Sequence, residues 1–380
     1  MPIPYGRQTI DERDVAAVVE VLRSPFLTQG PVLQRFERAV AEFCDVPHAV
    51  AFSSGTAALH AAAFAAGARP GTDLLTSAMT FSASANCGAY LGATPRFADI
   101  ERETWNVSPE TVAAAMTPRT RIVVPVHFAG LAADVAGIRE VVGEDVVIIE
   151  DAAHALGAVR DGQRVGSCRH AEMAMFSTHP VKSITTAEGG VVTTRDAALA
   201  ARLRSFRNHG FGGDVERMTA EHGGWFREQV ELGHNLRLSE LHCALGVSQL
   251  ERLREFVARR NAIAERYRRA LADVPALELP PAAANGDVHA YHLFIVRHRD
   301  GAAARRRLYE ALHAAEILVQ VHYIPVYWHP YYRRSYGYEH GLCPEAERYY
   351  AGCLSLPCFP TLTEAEQDRV LEVLREEVGD

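Results

Sequence analysis

The sequence predicts an α/β fold with a large domain built on a mostly parallel sheet and a smaller α+β C-terminal domain. Short apolar runs alternate with helical stretches up to about residue 200, in the order typical of βαβ units. Runs such as VVII at 146–149 are continuous rather than alternating, which indicates strands buried on both faces. Beyond Asn235 the chain becomes a charged helical stretch and then a proline-interrupted segment. We expect a large domain over 1–245, including an N-terminal arm, and a small domain over 246–380.

The first half of the chain supplies the arm, two helices and the strands of the large sheet. The arm and the helix DERDVAAVVEVLRS are expected within residues 1–30, and a second helix at about 34–43. The predicted strands are HAVAFSS, DLLTSA, PRFADI, RIVVPVHF, DVVIIED, AEMAMFS and GGVVTT. Helices are predicted at TAALHAAAFAAGA and SASANCGAYLG, and a helical link joins RIVVPVHF to DVVIIED.

The second half is predicted to be more helical. A charged helical stretch runs from about 239 to 271, and the prolines at 275, 280 and 281 break the chain after it. The strand YHLFIVRH, the helix ARRRLYEALHAAE and the strand LVQVHYIPV follow. The last helix, TEAEQDRVLEVLREEV, begins with a capping box of Thr363 and Glu366.

Composition argues against several classes of function. The formal net charge of −8 disfavours nucleic-acid binding, although RRRLYEAL is either a basic patch or a solvated helix face. Seven cysteines without a CxxC pair favour a reduced, cytoplasmic protein. The N-terminal sequence does not resemble a signal peptide, and no run of about 18 apolar residues occurs, so no membrane contact is expected. Seventeen histidines show no HExxH spacing, so no metal site is expected.

Two short motifs suggest a ligand with an anionic group and a ring. Residues 53–58, SSGTAA, lie at a strand-to-helix turn, where free N–H groups and hydroxyls bind anions; an ordinary helix cap is the alternative. Asp151 ends a hydrophobic strand, where a carboxylate points into the ligand crevice of a parallel sheet. Beside a pyridine ring it would keep the ring nitrogen protonated, while a metal-binding or helix-capping role remains the alternative. His154 follows closely and either bonds a ring oxygen or is merely packed.

The third motif surrounds a lysine. Lys182 stands among small, hydroxylated and glycine residues between two apolar strands, whereas a surface lysine usually lies on a charged helix face. Enclosure lowers the pKa of an amine and makes it nucleophilic. Ser177 is placed to add a hydroxyl to an anion site, and Gly189 and Gly190 permit close backbone approach.

These motifs, in this order, are part of a wider resemblance. The segments that carry it are SSGTAALHAA, EDAAHALGA, FSTHPVKSITTAEGGVVTT, GHNLRLSELHCALGVSQL, SPFLTQGPVLQRFE and HYIPVYWHPYYR. Together they resemble the DegT/DnrJ/EryC1/StrS family of sugar aminotransferases over nearly the whole chain. The resemblance implies a fold-type I transferase that uses pyridoxal 5'-phosphate.

The resemblance also implies roles for individual residues. Lys182 matches the Schiff-base lysine and Asp151 the acid at the ring nitrogen, which makes these two the expected catalytic residues. Gly55, Thr56 and Ser177 match residues that bind the phosphate.

Other matched residues concern the ring, the partner subunit and the substrate. His154 matches the polar residue beside the ring oxygen, and Phe81 an aromatic stacked on the ring, with core packing as its alternative. Asn235 matches a residue that reaches the phosphate of the other subunit's cofactor, which implies a homodimer with shared active sites. Many relatives have tyrosine where His234 stands. Three residues lie in segments like those that contact substrate, with packing as the alternative for each: Arg237, His322 and Tyr323.

The reaction is likewise implied by resemblance. Within the family the chain is most similar to the pseudaminic-acid branch, through YGRQTIDERDVAAVVEVLRSPFLTQGP, PVHFAGL, STHPVKSITTAEGG and HYIPVYWHPYYR. This implies glutamate as amino donor and a nucleotide-sugar acceptor, aminated at C4 of a UDP-linked 4-keto-6-deoxy N-acetyl hexose. The aromatic stretch 327–338 is either a lid over the nucleotide or a packed loop.

The sequence bears on four alternatives to this function. A different keto-sugar nucleotide as acceptor stays open. A sugar dehydratase of the same family would have histidine in place of Lys182. A non-catalytic regulator with this fold would be indicated by loss of Lys182 or Asp151, and both are present. A dehydrogenase would need GxGxxG after the first strand, where it is absent.

Overall fold

The computed structural model describes residues 2–211 and 223–378. Its strands in chain order are Ile3–Pro4 (β1), His48–Phe52 (β2), Asp73–Ser77 (β3), Thr94–Ala98 (β4), Thr120–Val124 (β5), Val147–Asp151 (β6), Val159–Arg160 (β7), Gln163–Arg164 (β8), Met173–Ser177 (β9), Gly190–Thr194 (β10), Leu277–Glu278 (β11), Phe294–His298 (β12), Ile317–Leu318 (β13) and Cys353–Leu356 (β14). Its α-helices are Glu12–Leu22 (α1), Pro31–Cys44 (α2), Gly55–Ala65 (α3), Ala83–Ala89 (α4), Pro109–Ala115 (α5), Val135–Val142 (α6), Ala197–Arg207 (α7), Glu240–Glu251 (α8), Leu253–Ala270 (α9), Ala302–Ala314 (α10), Pro330–Tyr336 (α11), Pro344–Gly352 (α12) and Glu364–Val378 (α13).

A seven-stranded sheet forms the centre of the molecule, in the order β2-β10-β9-β6-β5-β3-β4. Neighbouring strands from β9 to β4 are parallel, and β10 is antiparallel to both β9 and β2. Successive residues of one strand enter different cores: Ile148 packs with α5 and α6, and Ile149 with α3 and α7. The sheet is therefore covered on both faces, and the predicted α/β fold with a mostly parallel sheet is confirmed.

The C-terminal part has its own antiparallel sheet, β11-β12-β14. The N-terminal arm joins this part, because β1 pairs in parallel with β13. Helix α9 connects the two regions: Phe256 lies in the core under the large sheet, and Tyr267 in the core of the C-terminal part. The two cores thus meet within α9, while the division of the chain after residue 245 stays a prediction.

The predicted elements are found with some differences. The charged stretch from 239 forms two helices, α8 and α9, that meet at Arg252. The strand predicted over LVQVHYIPV is wrong beyond Leu318, because β13 ends there and the chain continues irregularly. The capping box is confirmed: the Thr363 N–H donates to Glu366 (2.8 Å), whose own N–H donates to the Thr363 hydroxyl (3.2 Å). Across the described ranges, no helix has the length and apolar character needed to cross a membrane.

Candidate active site

A cavity of about 390 Å³ lies at the carboxyl ends of β6 and β9 and beside the N-terminus of α3. This position is the usual ligand site of a parallel α/β sheet. Most of the predicted site residues line it: Gly55, Thr56, Phe81, Asp151, His154, Ser177, Lys182, His322 and Tyr323. Segments separated by more than 250 positions of sequence are therefore brought together here.

Lys182 projects into the cavity from the loop between β9 and β10. The backbone N–H of Lys182 donates to the backbone carbonyl of His179 (2.9 Å), and this bond closes a turn just before the lysine. Burial lowers the pKa of the Lys182 amine to about 8, and the charge of Asp151 opposes this shift. Lys182 is also the only lysine in the 380-residue sequence, so no other lysine side chain competes for an aldehyde.

Asp151, at the end of β6, is only 4% exposed and has two hydrogen-bond donors. The Ser84 hydroxyl donates to Oδ2 (2.6 Å), and the Ala153 N–H donates to Oδ1 (3.1 Å). Burial raises the pKa of Asp151, while these two bonds and the charge of Lys182 lower it. Ser84 was not predicted as a site residue, since nothing in its own segment points to Asp151.

His154 and Tyr323 form a second pair at the cavity. The Ala129 N–H donates to Nδ1 of His154 (3.3 Å), so the ring proton belongs on Nε2, 3.2 Å from the Tyr323 hydroxyl oxygen. Burial holds the pKa of His154 well below its usual value and raises that of Tyr323, so both stay neutral. Nε2–H then donates to the Tyr323 hydroxyl oxygen, and the Tyr323 proton has no acceptor on His154. Both ring nitrogens of His154 have partners within the chain, and the bond from His154 to a ring oxygen stays a prediction.

The start of α3 has the free N–H groups that helices use to bind anions, and we call Gly55, Thr56 and Ser177 at this turn the anion cradle. The first N–H groups of a helix have no intrahelical acceptor, and the N-cap Ser54 accepts only from Ala57 (3.1 Å). Ser177 lies against this turn, since a Cβ on Gly55 would come within 3.0 Å of the Ser177 Cβ. The predicted close approach at Gly190 is confirmed: a Cβ there would lie 2.5 Å from the Ser54 carbonyl oxygen.

Aromatic and imidazole groups form part of the remaining cavity wall. Phe81 is 58% exposed and faces the cavity, with its ring 6.3 Å from that of Tyr323. The alternative prediction for Phe81, packing in the hydrophobic core, is therefore wrong. The Nδ1 of His322 lies 2.7 Å from the Ser355 hydroxyl, and burial lowers the pKa of His322 to about 3. A neutral imidazole thus faces the ligand space.

Two predicted residues lie away from this cavity. Asn235 is exposed, in a bridge with Asn208. Arg237 donates to the Asn208 side-chain oxygen (2.6 Å) and lines a separate cavity with α2 and α7. The neighbouring His234 packs its ring on His60 and Phe206. Neither Asn235 nor Arg237 lines the cavity of Lys182 in its own chain, so the role predicted for Asn235 requires a second subunit, and the substrate contact of Arg237 stays a prediction.

The aromatic stretch 327–338 is packed, but it contains α11 and is therefore not the loop that one alternative predicted. Tyr327 and Tyr332 are buried, and the Tyr332 hydroxyl donates to the Asn86 side-chain oxygen (2.5 Å). Tyr338 donates to the Pro95 carbonyl. These bonds tie the stretch to α4 and β4, so the lid interpretation is not supported.

Among the residues that the structure describes, no group of three or more His, Cys, Asp or Glu is placed to hold a metal ion.

Comparisons with known proteins agree with this geometry. The model of the DegT/DnrJ/EryC1/StrS aminotransferase family matches residues 8–375. The chain is 38% identical over 378 residues to the spore coat polysaccharide biosynthesis protein SpsC of Bacillus subtilis, covering 98% of this chain and 96% of that one.

Solved structures show the same likeness. PseC of Helicobacter pylori, an aminotransferase involved in the biosynthesis of pseudoaminic acid, is 30% identical with a TM-score of 0.91, covering 100% of this chain and 99% of that one. The PLP-form of the putative sugar aminotransferase Spr1654 of Streptococcus pneumoniae is 27% identical with a TM-score of 0.91, covering 100% and 99%.

Proposed function

The chain belongs to the DegT/DnrJ/EryC1/StrS aminotransferase family, and from this premise we propose that it transfers the amino group of glutamate to C4 of a UDP-linked 4-keto-6-deoxy N-acetyl hexose. It is an aminotransferase of fold type I and uses pyridoxal 5'-phosphate. The observation that carries the proposal is one cavity holding the sole lysine, a buried carboxylate and an anion cradle. The likeness to PseC, whose described role is in pseudoaminic acid synthesis, supports this acceptor.

The residues present fit the cofactor. The cradle of Gly55, Thr56 and Ser177 suits a phosphate, and a buried carboxylate such as Asp151 suits a protonated ring nitrogen. When bound, pyridoxal phosphate supplies an aldehyde for a primary amine and a ring that withdraws electrons from the reacting carbon.

The residues of the chain then have distinct tasks. Lys182, with its pKa lowered to about 8, is partly unprotonated near neutral pH, so its amine can act as nucleophile and can accept and return a proton. Asp151 would hold a proton on the ring nitrogen of the bound cofactor, and Ser84 holds this carboxylate in place. Phe81 lines the cavity and would cover one face of the ring and exclude water from it. Tyr323 donates its free proton to a ligand oxygen, beside His322.

Two chains would complete each site. Asn235 and Arg237 lie outside the cavity of their own chain, which supports a homodimer in which Asn235 reaches the partner's phosphate and Arg237 the partner's substrate. We place this dimer in the cytoplasm, because each of the seven cysteines is buried and unpaired.

A second acceptor has specific support. The identity to SpsC, 38%, is higher than the 30% to PseC, and SpsC is described only as a spore coat polysaccharide biosynthesis protein. An aminotransferase acting on a different keto-sugar nucleotide is therefore the alternative. A regulator without turnover has less support, because the cavity keeps both Lys182 and Asp151.

The test has two stages. Borohydride reduction of the purified protein should add one pyridoxyl group, mapped to Lys182 by mass spectrometry, and none to Lys182→Ala. Glutamate should bleach the cofactor absorbance near the visible edge and release 2-oxoglutarate. A panel of keto-sugar nucleotides then identifies the acceptor. Bleaching without turnover of any sugar would refute the nucleotide-sugar assignment and leave an aminotransferase of another substrate class.

A further inference from the structure

Arg260 is a buried guanidinium on α9, only 1% exposed. Within residues 2–211 and 223–378 no carboxylate forms an ion pair with it. Its partners are four backbone carbonyl oxygens, those of Lys182 (3.4 Å), Tyr291 (3.2 Å), His292 (3.4 Å) and Cys358. Burying a cation costs free energy unless hydrogen bonds satisfy its donors. The bonds that Arg260 makes therefore hold these backbone oxygens in a defined arrangement.

The four carbonyls come from three separate segments. Lys182 lies between β9 and β10, Tyr291 and His292 precede β12, and Cys358 follows β14. Two of these residues, Lys182 and His292, also line the active-site cavity with their side chains. The ring centroid of His292 lies 4.3 Å from that of His154, which lines the same cavity.

Arg260 also stands where the two cores meet. On α9, Phe256 and Val257 pack in the core of the large sheet, and Ile263 and Ala264 in the C-terminal core. The planar guanidinium offers several donors in a rigid fork, which a lysine ammonium does not.

We infer that Arg260 is a positioning residue for Lys182, whose guanidinium fixes the backbone of the lysine loop to the C-terminal segments carrying His292 and Cys358. It touches neither cofactor nor substrate and acts only through the backbone of Lys182. The inference rests on the role proposed above for Lys182. Without the fork, the loop loses its tie, water reaches the amine, and the geometry that favours cofactor attachment is lost.

The apoprotein allows a direct test, because Lys182 is the only lysine. The rate at which an amine reagent modifies Lys182, followed by peptide mass spectrometry, gives its pKa without any cofactor. The ionisable groups that interact with the amine are Asp151, His154, His292 and His322. Affinity for pyridoxal phosphate, measured by fluorescence, is the second readout.

Arg260→Met should move the modification profile of Lys182 to higher pH by about half a unit or more and weaken cofactor affinity about tenfold. Arg252→Met is the matched control: Arg252 is 7% exposed and adjoins α9, but pairs with Asp11 and Asp14. Arg252→Met should leave both readouts unchanged even when it loses as much thermal stability as Arg260→Met. Equal shifts in the two variants, or none in Arg260→Met, would overturn the inference.

Arg260→Lys keeps the charge without the fork and covers the case in which Arg260→Met does not fold. It should shift both readouts in the same direction by a smaller amount, and wild-type values would also overturn the inference. A wrong assignment of Lys182 itself would give a different result. In that case, borohydride would still fix the cofactor covalently to the Lys182→Ala variant.

Discussion

At the residue scale, the amine of Lys182 and the carboxylate of Asp151 set each other's protonation. Burial lowers the pKa of Lys182, and the negative charge of Asp151 raises it, so the value of about 8 reflects both. His154, His292 and His322 stay neutral because burial lowers the pKa of each of them. Proton transfer at the site is therefore expected to involve Lys182 rather than an imidazole.

Replacing Asp151 by Asn should lower the pKa of Lys182 below about 8, because the opposing charge is removed while burial remains. The pH profile of amine modification in the apoprotein should then shift to lower pH. Glu150→Gln is the control, since Glu150 pairs with His127 (2.8 Å) and lies outside the cavity lining. A shift to higher pH in Asp151→Asn would contradict the assigned interaction.

Ser84 is the second residue whose removal tests the site. Ser84→Ala deletes a hydrogen bond to a buried carboxylate, worth about 1.5–3 kcal/mol. Because this bond lowers the pKa of Asp151, the variant should raise that pKa further, and glutamate-dependent bleaching should slow about tenfold or more. Ser205→Ala serves as the control, because no described group bonds that buried hydroxyl. Equal bleaching rates in the two variants would show that Ser84 does not support Asp151.

At the element scale, the packing of β10 against the start of α3 creates the anion cradle. Gly190 is the first residue of β10, and its backbone closely approaches Ser54, the N-cap of α3. The N-terminus of α3 is therefore held between the strand and Ser177. A side chain at Gly190 would therefore displace the backbone at the start of α3, where the N–H groups proposed to bind phosphate lie.

Gly190→Ala should weaken cofactor affinity about tenfold and reduce the free energy of unfolding by about 1–3 kcal/mol, because the new methyl group meets backbone atoms that cannot rotate away. Equilibrium binding of pyridoxal phosphate and denaturant unfolding measure the two effects. Gly224→Ala is matched to it, since among the described residues no atom beyond its chain neighbours lies within 4 Å of the added carbon there. Wild-type affinity in Gly190→Ala would place the phosphate elsewhere.

At the scale of the whole molecule, the proposed dimer makes a distinctive prediction. If Asn235 serves the partner's site, a mixed dimer of Lys182→Ala and Asn235→Ala contains one site with neither defect. Unfolding and refolding an equal mixture of the two inactive variants should restore activity to about a quarter of wild type. A mixture of Lys182→Ala and Asp151→Asn should restore none. Both residues line the cavity of their own chain, so each of the two cavities in the mixed dimer keeps one defect. Restoration in neither mixture would argue against shared sites.

Much of this protein could be predicted from the sequence, because the signals concerned are local. Continuous apolar runs predicted the buried strands, and the capping box of Thr363 and Glu366 is contained in four residues. The loop carrying Lys182 and the strand end carrying Asp151 were likewise recognisable from their neighbours along the chain. Each of these features depends on residues within one segment, so its pattern is visible before folding.

The tertiary structure alone decided the features that join distant segments. Ser84 meets Asp151, Tyr323 meets His154, and Arg260 meets Lys182 across long stretches of chain. The irregular course after Leu318 is also set by packing, since its apolar residues suit a strand but are used to line the cavity and the adjoining core. Periodicity records which side chains are buried, whereas their partners depend on how the elements pack, and that information lies in no single segment.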